Sequence, residues 1–263
     1  MSEPSVITSI DQTGIARVTL NRPAVRNAFD EEMIGNICDT IGQLSNNEEV
    51  RAIIITGNGK AFSGGADLNM MIRVADYSQS ENRDDARRLA HMLESIYNSP
   101  KPTIALVNGA AMGGALGIIA ACDIAIASED AFFALTEVRV GLIPAVISPF
   151  VIETIGVRQA RRFFLTGERI DAATARQIGL VHKVCMNIHL EETLAQTLND
   201  LLSGAPEAIK DSKDLIRAVA FRPIGKETCE ETANRIADRR ASKEGREGIT
   251  AFLEKRKPNW QRD

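Results

Sequence analysis

Backbone amides beside paired glycines are the first candidates for chemistry in this chain. Gly113-Gly114 stand between the apolar run Thr103–Val107 and the small-residue segment Ala115–Ala121. Gly64-Gly65 stand between the apolar run Arg51–Thr56 and a segment opened by Ala66, Asp67 and Leu68. At a strand-to-helix junction, glycine lets a ligand approach the backbone because no β-carbon intervenes. The first N–H groups of a helix lack internal partners and carry the positive end of its dipole. One donor from each junction could hold the oxygen of a thioester carbonyl as it takes on negative charge, which acyl-transfer and enolate chemistry require. Close helix–strand packing without a ligand accounts equally well for a single junction; the second copy tips the balance.

A carboxylate completes the set. Glu137 lies between the apolar stretch Phe132–Leu135 and the apolar loop after Val138. Partial burial there would raise its pKa toward the range used in general acid–base catalysis. The same residue also reads as a helix-start glutamate favoured by the dipole, and spacing alone favours that plainer role.

Composition narrows the classes. The 263 residues are 44% hydrophobic and 25% charged, with a net charge of −4 and 5% aromatics. These values fit a globular protein and give no general nucleic-acid footprint. Cys38, Cys122, Cys185 and Cys229 show no metal-ligand spacing, and no metal is expected. His91, His182 and His189 fit neither an HExxH pair nor a GxSxG serine, and the glycines form neither a dinucleotide fingerprint nor a phosphate loop. No run reaches membrane-spanning length and the N-terminus lacks a signal pattern, so a bacterial cytoplasm is expected.

The elements that must position these groups follow from periodicity. Val6–Ile10, Ile15–Leu20, Arg51–Thr56, Thr103–Val107, Asp123–Ala127, Ala131–Ala134 and Val181–Cys185 read as strands. Helices are expected from Asp30, over 67–75, 81–98 and 115–121, and at 158–165 and 171–177. The segment 138–155 reads as one helical turn, a loop and a helix, broken by Gly141 and Pro144; residues 108–113 read as a loop. From Leu190 the pattern is wholly helical, with Pro206 and Pro223 as punctuation. The expected class is α/β, with a core over 1–200 and a C-terminal helical region over 201–263.

AFSGGADL, VNGAAMGGALG with the following ACD, and ALTEVRVGLIPAVISPF together resemble the enoyl-CoA hydratase/isomerase (crotonase) superfamily. The resemblance runs from Val18 to Arg256 and implies a spiral of ββα units. It implies Ala66 and Gly114 as oxyanion-hole donors and Glu137 as the catalytic acid–base. Coenzyme A is then part of the substrate, and no separate cofactor is implied. Further acyl-CoA contacts are implied at Arg26 and Ala28 in the NRPAVRNA turn, at Gly64, Asp67 and Leu68, and at Gly113 and Gly117. Phe252 and Lys255 would reach coenzyme A on a neighbouring subunit of a homotrimer or homohexamer.

The second glutamate of the two-glutamate hydratases falls on Gly117, which can neither hold nor deprotonate water. Methylglutaconyl-CoA hydratase-like members share that glycine, and DLNMM, ENRDDARRLAHML and LIPAVISPFVIETIG resemble them and the isohexenylglutaconyl-CoA hydratases. Hydration of a branched glutaconyl-type thioester is therefore expected, with the glycine making room for the chain. A Δ3/Δ2 enoyl-CoA isomerase using Glu137 alone is the alternative, and a non-catalytic acyl-CoA- or RNA-binding relative is a third reading. Met70, Met71 and Ile72 are candidates for the acyl pocket, and Arg73, Arg83 and Arg139 for a distal carboxylate.

Overall fold

Pairs of strands, one long and one short, recur along the first two-thirds of the chain and set every later position. The computed structural model describes residues 3–261. Its elements are β1 (Val6–Ile10), β2 (Ile15–Leu20), α1 (Glu31–Asn46), β3 (Ala52–Gly57), β4 (Ala61–Ser63), α2 (Leu68–Ala75) and α3 (Gln79–Asn98). Next come β5 (Thr103–Val107), β6 (Ala110–Met112), α4 (Gly114–Ala121), β7 (Ile124–Ser128), β8 (Phe132–Ala134), α5 (Ser148–Thr166), β9 (Ile170–Asp171), α6 (Ala172–Gln177) and β10 (Lys183–Cys185). The helices α7 (Leu190–Ser203), α8 (Pro206–Val219), α9 (Lys226–Ala241) and α10 (Lys243–Glu254) follow.

The longer strands form a six-stranded sheet in the order β1-β2-β3-β5-β7-β10, parallel from β2 onward. The short strands form a second sheet, β4-β6-β8-β9, with β4, β6 and β8 parallel. Each turn of the coil thus enters the large sheet, crosses to the small one and leaves through helical segments, as expected for a ββα spiral. β3 and β5 are buried along nearly their whole length, and their Ile, Val and Leu content matches a parallel strand covered on both faces. α1 packs Met33, Ile34, Ile37, Ile41 and Leu44 into the core; its N-cap Asp30 accepts from Met33 N.

Two expectations need correction. Residues 110–112 form strand β6, between β4 and β8; Ala-Ala-Met carries no strand signal of its own, so its neighbours impose the conformation. The segments around 148–155 and 158–165 belong to the single span α5, interrupted only where Gly156 takes φ 72° and ψ 158°.

The chain divides into two compact units, Met1–Leu194 and Ala195–Asp263. The second is a group of helices laced by ion pairs, among them Arg235–Asp214 at 2.7 Å and Arg239–Asp211 at 2.7 Å. Among the described residues no helix is long and apolar enough to cross a membrane.

Candidate active site

The turn after β2 builds the first junction. Arg26 and Asn27 both adopt left-handed backbone, at φ 56° and 55°, a conformation Asn tolerates better than most residues. The Asn27 amide is fully buried and donates to the carbonyls of Asn58 (2.9 Å), Ala61 (2.9 Å) and Phe62 (3.3 Å). This clamp brings the turn against β4, where Arg26 O accepts from Gly64 N at 2.7 Å. Arg22 locks the same corner: one guanidinium nitrogen meets both Asp30 and Asp67 at 3.0 Å, and the other donates to Ala28 O at 2.6 Å.

These contacts orient Ala66. Phe29 N donates to Gly65 O at 2.7 Å and Asp67 N donates to Phe29 O at 2.8 Å, in a single parallel bridge. Because successive N–H groups in extended chain point to opposite sides, the Ala66 N–H faces away from Phe29. Gly65, at φ 87°, lets the loop pass the next coil; a β-carbon there would stand 2.9 Å from Met112 O.

The second junction repeats the arrangement one coil later. Gly113 N continues the β6–β8 ladder to Ala134 O at 2.9 Å, and Gly113 then turns at φ 52° into α4. Gly114 is the first residue of that helix, so its N–H has no helical partner. No described residue accepts a hydrogen bond from the N–H of Ala66 or Gly114.

Both donors line a cavity of about 310 Å³ that also contains Glu137. Its other walls are Phe29, Ile34, Met70, Ala86, Leu89 and the loop Ile143–Ile147, so Glu137 is the sole charged residue lining it. Glu137 opens the one-turn helix Glu137–Val140, and its Oε1 comes within 3.2 Å of where a Gly113 β-carbon would stand. A β-carbon at 113 would crowd the carboxylate and add to the strain of the positive φ. Glu137 Oε2 is buried without a hydrogen-bond partner among the described residues. Burial pushes this carboxyl above the usual glutamate value of 4.5, partly offset by its own backbone N–H. An orphaned carboxylate oxygen on an apolar cavity is poised to hold or move a proton.

Not every expected contact faces this cavity. Asp67 is turned inward: its side chain caps α2 through Asn69 N and Met70 N and pairs with Arg22. Burial alone would raise the Asp67 carboxyl, but those N–H groups and Arg22 overcome it and hold the value below the usual range. Asp67 is therefore the cap of α2, with both carboxylate oxygens engaged. The expectation that Gly117 makes room for substrate is corrected, because Gly117 does not line the cavity. It is buried, and a β-carbon on it would stand 2.5 Å from Ile147 Cγ2 and 3.0 Å from Leu93 Cδ1. Its missing side chain makes room for Ile147 instead of for substrate.

Of the outer candidates, Arg26 is exposed and Ala28 is buried, offering its carbonyl to Arg22. Gly64 packs near Arg26, and Leu68 is 76% exposed on the first turn of α2. Met70 lines the cavity, whereas Ile72 faces solvent. Arg73 is held by Glu31 at 2.6 Å, and Arg83 and Arg139 are exposed. In the second unit Phe252 is 83% exposed, and Lys255 caps α10 in left-handed backbone.

Sequence reasoning missed Arg22 as the clamp and the loop Ile143–Ile147 as a wall. The second carried a signal: Leu142–Ile147 is a loop without a single polar side chain, which a segment facing only solvent would not need.

A model described as enoyl-CoA hydratase/isomerase matches residues 11–263. The crystal structure of an enoyl-CoA hydratase from Shewanella pealeana is 41% identical with a TM-score of 0.94, covering 97% of this chain and 96% of that one. The short-chain-enoyl-CoA hydratase of Clostridium acetobutylicum is 33% identical over 258 residues, 92% of each chain. The trans-2-decenoyl-[acyl-carrier-protein] isomerase of Streptococcus mutans is 30% identical over 269 residues, 99% of each. Sequence pattern and fold agree over nearly the whole length, and the chain belongs to the enoyl-CoA hydratase/isomerase family, the crotonase superfamily.

Proposed function

We propose that the protein hydrates enoyl-CoA thioesters, using Glu137 as its one acid–base group. The observation that carries this is that, among the described residues, one Glu137 carboxylate oxygen and the N–H groups of Ala66 and Gly114 all lack partners on one shared cavity. The thioester oxygen accepts from both N–H groups. Glu137 takes a proton from water as the water oxygen bonds to the β-carbon, and the double-bond electrons move toward the thioester. The two donors hold the enolate oxygen that results. Protonated Glu137 then returns its proton to the α-carbon, which completes addition of H and OH. The proton taken from water is the one given back, so a single carboxylate suffices, and dehydration is the same path reversed.

The substrate we favour is a branched glutaconyl-type thioester such as 3-methylglutaconyl-CoA, on the resemblance of the α2, α3 and α5 segments. None of the cavity-lining residues is cationic, and Arg73 is occupied by Glu31, which leaves Arg83 and Arg139 to meet the distal carboxylate. Coenzyme A would run past Arg26, Ala28, Gly64 and Leu68. Phe252 and Lys255 would serve the site of a neighbouring copy in a homotrimer or homohexamer in the cytoplasm. The exposed Ile216, Phe221, Ile224 and Leu253 of the second unit support such burial between copies.

One observation favours isomerisation as a second reading: Ile147 fills the place of a second acid, and a 1,3-proton shift needs only one. Turnover of crotonyl-, 3-methylglutaconyl- and 3-hydroxy-3-methylglutaryl-CoA in H2¹⁸O, followed by absorbance and mass, separates them. Hydration puts ¹⁸O into a hydroxyacyl product. Double-bond migration without ¹⁸O would overturn the hydratase reading.

A further inference from the structure

We propose that Ile147 sets how deep an acyl chain penetrates, by standing in the space that a side chain at Gly117 would occupy; this rests on the acyl-CoA reading above. Gly114 and Gly117 lie three residues apart on one face of α4, with Gly117 about 4.5 Å farther along the axis. The cavity includes Gly114 but stops before Gly117. What intervenes is Ile147, which lines the cavity, is 2% exposed, and would contact a Gly117 β-carbon at 2.5 Å through Cγ2 and 3.1 Å through Cβ. α3 marks the same boundary. Leu89 lines the cavity, whereas Leu93, one turn on and fully buried, touches the Gly117 site and does not. The floor therefore lies between these two turns, and Ile147 is the side chain found there.

Ile147 is held as a wall. Its carbonyl accepts from Val151 N at 3.1 Å as α5 begins, and the preceding loop is tied by Ala145 N to Ile143 O (2.8 Å) and Ser148 N to Ala145 O (3.2 Å). Branching at its β-carbon restricts the side chain to few rotamers. Cutting it back to alanine vacates the space Ile147 fills beside Gly117 and opens it to the cavity, lengthening the cavity along α4 by two or three chain carbons.

The test measures dissociation constants of saturated straight-chain acyl-CoAs, butanoyl to decanoyl, by calorimetry on the full chain. Each methylene that finds apolar space gains about fourfold in affinity. In wild type that gain stops at a limiting chain length; in Ile147→Ala the limit moves outward by two or three carbons. Gly117→Ala, whose β-carbon stands 2.5 Å from Ile147 Cγ2 and presses it toward the cavity, moves the limit inward and serves as the reading if Ile147→Ala does not fold. Profiles that superimpose on wild type would overturn the assignment. Crotonyl-CoA turnover by wild type is scored separately. A chain-length limit that shifts without hydration overturns the hydratase reading and keeps the wall; failure to bind any acyl-CoA overturns both.

Discussion

Gly117→Ala sets two opposing effects against each other, and the geometry decides the sign. Alanine in a helix interior is favoured over glycine by about 1 kcal/mol. Against that, the new β-carbon stands 2.5 Å from Ile147 Cγ2 and 3.0 Å from Leu93 Cδ1. Carbon atoms settle at about 3.5–4.0 Å, so Ile147 must retreat by about 1 Å. Overpacking a core costs about 1–3 kcal/mol. Ile147 borders a cavity and has somewhere to go, whereas Leu93 is fully buried, which puts the cost near the middle of that range. The net loss is about 1 kcal/mol, or a fall in Tm of about 2–4 °C. Because Ile147 yields into the acyl cavity, KM rises more than kcat falls. In an Ile147→Ala background the sign reverses, since alanine at 117 then fills part of a hole. Circular-dichroism melts and steady-state kinetics on the two singles and the double read all three effects. A Tm at or above wild type with unchanged KM, or the same sign in both backgrounds, would refute the reasoning.

Glu137→Gln keeps acyl-CoA binding while turnover falls by about 10²–10⁴; near-wild-type kcat would remove Glu137 from the mechanism. Folding raises the Glu137 pKa above 4.5, so the protonated form is favoured in the folded chain. Its contribution to stability is complete below 4.5 and is lost as pH rises to the raised value, where the folded form also ionises. The Tm of Glu137→Gln relative to wild type should therefore climb with pH above 4.5 and then level off; a difference flat in pH would contradict it. Hydration needs the ionised carboxylate, so kcat/KM should rise with pH through that raised value, and a profile flat across it would argue against Glu137 as the base. Arg22→Met leaves Asp30 and Asp67 facing each other unneutralised and should cost about 2–4 kcal/mol, reduced from a fully buried pair by partial exposure; an unchanged denaturation midpoint would show that the corner holds without it.

The long strands were legible because β2, β3, β5 and β7 carry continuous or alternating apolar runs between clear breakers. β6 was not, because Ala110–Met112 gets its conformation from β4 and β8, partners tens of residues away. In the site, the glycine pairs announced backbone approach, and Glu137 stood out once several motifs occurred in order. The role of Gly117 was illegible for a different reason. Whether a glycine leaves space for a ligand or for a neighbour depends on which side chain points at it, and Ile147 lies thirty residues away in sequence. Asp67 was legible in part: a capping residue type opens the segment before Leu68, but only the folded corner shows both its oxygens committed.

The small sheet has a consequence for what substitution can change. Ala66 and Gly114 follow the neighbouring parallel strands β4 and β6, so both donors belong to the backbone, and the side chains that orient Ala66, Asn27 and Arg22, lie outside the cavity wall. A backbone arrangement of this kind is indifferent to most point mutations at the surface of the cavity. The proposed proton-handling group and the proposed acyl floor, by contrast, each rest on one replaceable side chain, Glu137 and Ile147. Drift in sequence can thus re-target such a protein to another chain length or another proton itinerary while the grip on the thioester oxygen is inherited unaltered.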